Sequence, residues 1–139
     1  QAAEAALRMG RIGFDEVVGK VVGIEALLAQ RPELARSASR LTATALRSRL
    51  DEVADLCVLD IRNDGERALG AIDGTSHIPL AELPARVDEL DLDRPIVVHC
   101  AGGYRSSIAA SWLRSQGASD VSDLLGGIAA WQATEQPAA

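Results

Sequence analysis

From Leu41 onward, short apolar runs alternate with helical patterns. "LCVLDI" (56–61) and "PIVVHC" (95–100) are continuous apolar stretches, the pattern of strands buried on both faces of a parallel sheet. "SDVSDLLGG" (119–127) predicts a third strand, and "TSHIPL" (75–80) a short one stopped by Pro79. Helical segments stand between them. "TATALRSRLDEV" (42–53) is entered through Thr42 or Thr44 as a cap, and "DGERALG" (64–70) is a short helix or turn. "AELPARVDELDL" (81–92), "RSSIAASWLRSQG" (105–117), closed by Gly117, and "GIAAWQAT" (127–134) complete the set. Strands alternating with helices predict an α/β layer fold on a parallel sheet.

The first part of the chain reads differently. "AAEAALRMGRI" (2–12) is helical, "DEVVGKVVG" (15–23) a short strand and "IEALLAQ" (24–30) helical again, while "RPELARSAS" (31–39) lacks apolar periodicity and reads as a linker. An offset of 104 lays residues 5–27 over residues 109–131 without a gap, and seven of the 23 columns are identical. The shared columns include Gly13/Gly117, Val17/Val121, Gly23/Gly127 and Ile24/Ile128. Residues 1–38 are therefore expected to be the tail of a preceding copy of the same domain plus a linker, and residues 39–139 a complete domain. Val17, Val18, Val21, Val22, Ile24, Leu27 and Leu28 would form an apolar surface without its own domain. Such a surface should pack on residues 41–139, or on a second copy of the chain as a homodimer through residues 16–28. The chain starts at Gln1 rather than a methionine, as expected of a fragment or a processed product.

Composition narrows the partners. Aromatic residues are only 3% of the 139, so the core must be built from Ala, Val, Ile and Leu. A formal net charge of −6 argues against nucleic acid, whose phosphates require clustered Lys and Arg. No apolar run has membrane-spanning length and no signal-peptide pattern opens the chain. Two cysteines, Cys57 and Cys100, do not make a disulfide framework, so a reducing cytoplasm is the expected compartment.

The chemistry concentrates where the second long apolar run ends. A strand finishing at Cys100 and a helix starting near Arg105 place a thiol at the carboxyl edge of the sheet, where open α/β sheets carry their sites. Between them "AGGYRS" (101–106) can curl round the sulfur, because Gly102 and Gly103 tolerate dihedrals that other residues avoid. Successive amides then point inward as an anion nest, reinforced by the positive end of the following helix. Amides, helix dipole and the Arg105 guanidinium should all favour the thiolate, giving a nucleophile and an oxyanion cradle in one loop.

"HCAGGYRS" (99–106) resembles the active-site loop of the rhodanese (sulfurtransferase) family, in which Cys, four residues and Arg follow in order. "VLDIR" (58–62) resembles the family's Asp-x-Arg strand end, "ERALGAIDGTSHIPLAEL" (66–83) its Gly-x-Ile-x-Gly…Ile-Pro segment, and "LLGGIAAW" (124–131) its closing signature. The resemblance spans residues 41–136 and implies an open parallel sheet with helices on both faces. It departs from the family pattern at Arg67 and Ala71, where an aromatic and a His are frequent. Residues 7–27 also resemble the end of an upstream rhodanese-like domain in proteins that join a metallo-β-lactamase-fold hydrolase to rhodanese repeats. The resemblance then implies upstream hydrolase and rhodanese domains in the parent chain as partners.

The function so implied is sulfane-sulfur transfer. The Cys100 thiolate takes sulfur from a small-molecule donor, thiosulfate or a persulfide, and passes it to a thiol or cyanide acceptor, without metal or organic cofactor. Ala101, Gly102, Gly103, Tyr104, Arg105 and Ser106 form the substrate cradle, with Tyr104 at the pocket mouth. Asp60 and Arg62, two apart on a strand end, form a bracing salt bridge. His99 faces away from Cys100 as a packed histidine, Cys57 is inert core, and Trp131 packs. Two other readings stand beside this one. The first is a non-catalytic sulfur-carrying or regulatory module of a larger persulfide-metabolising hydrolase. The second is an arsenate reductase or phosphatase, whose loops carry five residues between Cys and Arg rather than the four found here.

Overall fold

The computed structural model describes residues 2–10, 16–35 and 37–134, and the chain divides into two compact units, 1–37 and 38–139. The second unit is built on a five-stranded, all-parallel sheet in the order β1-β5-β4-β2-β3. Its strands are β1 (Ser39–Leu41), β2 (Cys57–Asp60), β3 (Ser76–His77), β4 (Ile96–His99) and β5 (Val121–Leu124). The helices of this unit are α3 (Ala43–Glu52), α4 (Asp64–Ala68), α5 (Leu83–Arg86), α6 (Tyr104–Ser115) and α7 (Gly127–Ala133), after α1 (Ala2–Gly10) and α2 (Ile24–Gln30) of the first unit.

Alternation along the strands divides the core between the two faces. Leu59, Ile96, Val98 and Val121 pack with Ala109, Ala110 and Leu113 of α6. Val58, Val97 and Leu124 pack with Ala43 and Leu46 of α3 and with Ile128 and Trp131 of α7. Helices thus cover both faces, and aliphatic side chains fill most of the core, as the scarcity of aromatics requires.

Three elements differ from the sequence pattern. Residues 16–23 form no strand and are exposed, Asp15 lying outside the described residues; a parallel strand exists only through neighbouring strands, and no strand among the described residues pairs with this segment. The stretch read as a linker contains a 3₁₀ turn at Pro32–Leu34 and ends in β1. That edge strand is polar. Ser39 Oγ meets Ser122 Oγ at 2.7 Å and Arg40 pairs with Asp123 at 2.9 Å, so polar contacts tie it to β5 where apolar periodicity is missing. Finally, the helix expected over 81–92 is reduced to α5 and a 3₁₀ turn at Val87–Glu89, with Pro84 in the first turn of α5.

In the first unit, α1 and α2 fall at the places that the offset of 104 assigns to α6 and α7, and Gly23, like Gly126, caps its helix in the left-handed conformation.

Candidate active site

β4 is central, hydrogen-bonded on both sides, and delivers Cys100 to the carboxyl edge of the sheet with only 1% of its surface exposed. The loop turns back at Gly103, whose φ of +92° only glycine adopts readily, and α6 starts at Tyr104. This curl brings backbone N–H groups onto the sulfur. The Gly103 amide donates to Sγ at 3.2 Å, and Ser106 Oγ lies 3.6 Å from it. Burial pushes the Cys100 thiol pKa up, but the Ser106 hydroxyl and the amides of Ser106, Gly103 and Gly102 more than offset this, leaving it below the ordinary thiol value. A thiolate held by neutral dipoles at a helix N-terminus is a competent nucleophile, and the same amides can bind the charge of a sulfur added to it.

Arg105 is not directed at an empty anion cradle. Its NH1 and NH2 donate to Glu66 Oε2 and Oε1 at 2.7 and 2.5 Å. Glu66 in turn accepts from the Asn63 amide while its own amide donates to Asn63 Oδ1, a capping box at the start of α4. The Arg105 ion pair, with a smaller contribution from the Asn63 amide, lowers the Glu66 carboxyl pKa to about 2 against the effect of burial. Arg105 is held protonated chiefly by Glu66, with a smaller contribution from Cys100. Thiolate stabilisation expected from a free Arg105 therefore comes mainly from amides and Ser106.

Asp60 and Arg62 form a buried pair at the end of β2. Asp60 accepts from the Arg62 amide at 3.0 Å, from Nε at 3.0 Å and from NH2 at 2.7 Å. These donors hold the Asp60 carboxyl below the usual range although burial pushes it up. Arg62 also donates to the Glu66 and Gly70 carbonyls, at 3.1 and 2.8 Å. The pair therefore braces α4, and with it Glu66, against the end of β2. Arg67 reaches the same carboxylate at 3.6 Å and bonds Thr75.

His99 is fully buried, opposite Asp60 in the β2–β4 ladder, with Nε2 3.7 Å from Asp60 Oδ2. Burial pushes its imidazole below the usual value against the pull of Asp60, which fits packing rather than proton transfer. Tyr104 is 79% exposed at the mouth, and Trp131 is buried in the second core cluster beneath the Arg47 guanidinium. Cys57 is half-buried, with Sγ 3.9 Å from Ser76 Oγ, and lies at the margin of the core rather than inside it.

Two parts of the site are not singled out by the loop sequence. Glu66 is one, although Asn63-x-x-Glu66 is a legible capping-box signal. The glycine pair Gly126–Gly127 is the other. Ile128 N donates to the Cys100 carbonyl at 2.8 Å and Ala129 N to the Ala101 carbonyl at 3.3 Å, so the start of α7 holds the loop from behind. Gly127 has φ +59°, and a Cβ there would stand 2.3 Å from the Cys100 carbonyl oxygen. Among the described residues, no group of three or more His, Cys, Asp or Glu is placed to hold a metal ion.

The model of the rhodanese-like domain family matches residues 42–134, which include the loop, the Asp60–Arg62 and Glu66–Arg105 pairs and the glycine pair. The chain belongs to that family. Among curated relatives, this rhodanese-like chain is 36% identical over 93 residues to a protein named sulfurtransferase from Allochromatium vinosum, covering 67% of this chain and 87% of that one. It is 42% identical over 77 residues to the thiosulfate sulfurtransferase GlpE of Ectopseudomonas mendocina, covering 55% and 71%. Among solved structures, a rhodanese-related protein from Thermoplasma volcanium superposes with a TM-score of 0.64 at 30% identity, over 71% of this chain and 95% of that one. Rhodanese-like architecture and relatives named sulfurtransferases together support an enzyme of the rhodanese type.

Proposed function

We propose that this rhodanese-like chain is a sulfurtransferase that carries sulfane sulfur as a Cys100 persulfide. The observation that carries the reading is the thiol ringed by the amides of Gly102, Gly103 and Ser106 and by the Ser106 hydroxyl. With thiosulfate, the Cys100 thiolate attacks the outer sulfur, a new S–S bond forms as the old one breaks, and sulfite leaves with the electron pair. With a hydropersulfide, a thiolate leaves instead. The added sulfur then sits among the loop amides, and a thiol or cyanide acceptor removes it to regenerate the thiolate.

Three features of the setting belong to the same proposal. A reducing cytoplasm keeps both cysteines free, as they are here, and no helix among the described residues is long and apolar enough to cross a membrane. An upstream rhodanese-like domain and a metallo-β-lactamase-fold hydrolase in the parent chain would supply or consume the persulfide. The exposed apolar side chains within residues 16–28 are an association surface for a second copy.

The test is intact mass after brief exposure to thiosulfate or glutathione persulfide. The expected result is a gain of one sulfur atom, labile to cyanide and absent in Cys100→Ser. Loading without turnover to any acceptor would favour the sulfur-carrying module instead. No loading from either donor would overturn the proposal.

A further inference from the structure

Three arginines, Arg62, Arg67 and Arg105, belong to the segments that build the loop's surroundings, and each is bonded to protein groups. Arg62 is spent on Asp60 and two carbonyls, and Arg67 on Asp60 and Thr75. Arg105, beside the nucleophile, is closed by a bidentate contact with Glu66, and both partners remain about one-third exposed. Glu66 is itself fixed by Asn63. The only cation on the loop therefore meets substrate with its charge already compensated.

That arrangement discriminates between donors. Thiosulfate brings two negative charges to a thiolate and expels sulfite, so three charges must share the mouth during transfer. A persulfide on an uncharged organic body brings at most one, and the loop amides can take up the charge of its transfer. The mouth also offers apolar surface to an organic body. Tyr104 adjoins Arg105 and is 79% exposed.

We infer that Glu66 is a specificity-determining residue, which by neutralising Arg105 turns the loop toward organic hydropersulfides and away from thiosulfate. The inference rests on the sulfurtransferase reading of Cys100. The step is R–S–SH plus the Cys100 thiolate giving Cys100–S–SH plus R–S⁻. The donor S–S bond breaks, the new one forms, the leaving thiolate keeps the electron pair and the proton stays on the transferred sulfur, with no net oxidation. Glu66 acts through Arg105 and is a positioning residue for its charge.

The experiment follows the rate of sulfur loading on Cys100 by intact mass, with 2-hydroxyethyl hydropersulfide and with thiosulfate, in the full chain, in Glu66→Gln and in Glu66→Gln/Arg105→Gln. Glutamine is an accepted capping-box residue, so the first variant keeps the start of α4. The wild-type chain should load from the hydropersulfide at least about tenfold faster than from thiosulfate. Glu66→Gln should shift the ratio of thiosulfate loading to hydropersulfide loading by about tenfold toward thiosulfate. The double variant should return the ratio to the wild-type value. Faster wild-type loading from thiosulfate, or an unchanged donor ratio in Glu66→Gln, would overturn the inference while leaving the Cys100 persulfide intact. No loading from either donor would remove the sulfurtransferase reading and the inference together.

Discussion

Residues 17–30 and 121–134 carry matching glycine and apolar positions but stand in opposite environments. In the second stretch Val121 pairs with Ile96 in the sheet and is buried, Ile128 packs under α3, and Gly127 presses against the Cys100 carbonyl. In the first, Val17 and Ile24 are exposed, Val18 is 99% exposed, residues 17–20 form no strand, and the space around Gly23 is open. Only the local features persist in both: a helix before, a helix after, and a left-handed glycine at the turn, Gly23 at φ +68° and Gly127 at φ +59°. Helices and their caps are encoded by neighbours in sequence, whereas a parallel strand is encoded by the strands beside it.

The paired glycines separate these contributions most sharply. Gly127→Ala meets both the left-handed backbone and a Cβ that overlaps the Cys100 and Ala101 carbonyls. It should cost about 3 kcal/mol or more in denaturant unfolding and slow sulfur loading at Cys100 at least about tenfold, because the loop must shift to make room. Gly23→Ala meets only the backbone cost, about 1 kcal/mol confined to α2, and should leave loading unchanged. Equal effects at the two positions would mean that the close approach of α7 to the loop carries no energy.

The same contrast explains what was legible in the chain. β2 and β4 announce themselves as apolar runs because both faces are buried, and α3, α6 and α7 through caps and terminal glycines. β1 is hidden because Ser39 and Arg40 reach Ser122 and Asp123 through polar contacts. Residues 15–23 look like a strand in sequence, but the pattern cannot report whether neighbouring strands are present. In the site, Cys100, the glycines and Ser106 are legible together because they are contiguous. The partnership of Arg105 with Glu66 is not, since it joins side chains 39 positions apart. Charge placed at a helix start suggests a ligand anion, and here the anion is the protein's own.

The paired valines give the next largest difference. Val121→Ala removes two methyl groups from a position 2% exposed and should cost about 2 kcal/mol of unfolding free energy. Val17→Ala, at a position 47% exposed, should stay within about 0.5 kcal/mol in dilute protein. If residues 16–28 join two copies, Val18→Asp abolishes concentration-dependent sedimentation while the unfolding of residues 38–139 is unaltered. A sedimentation profile independent of concentration in the unmutated chain would remove the second copy as the partner of this segment.

The smallest effect concerns the electrostatics around Cys100. The Cys100 thiol lies below its ordinary pKa because hydrogen bonds favour the thiolate more than burial opposes it, and the Ser106 hydroxyl is the foremost of those hydrogen bonds. The pH profile of Cys100 alkylation, read in a Cys57→Ala background, should therefore have its midpoint below that of a free thiol. Removing a donor to the charged form raises the pKa, so Ser106→Ala should move the midpoint upward. Below that midpoint the alkylation rate should fall about fivefold, the equivalent of one hydrogen bond of about 1 kcal/mol. The loop amides remain in place in this variant, which is why the loss is modest. A midpoint that does not move would assign the activation of Cys100 to the backbone of residues 102–106 alone, and so to the glycines and the α7 contact that hold that backbone in its curl.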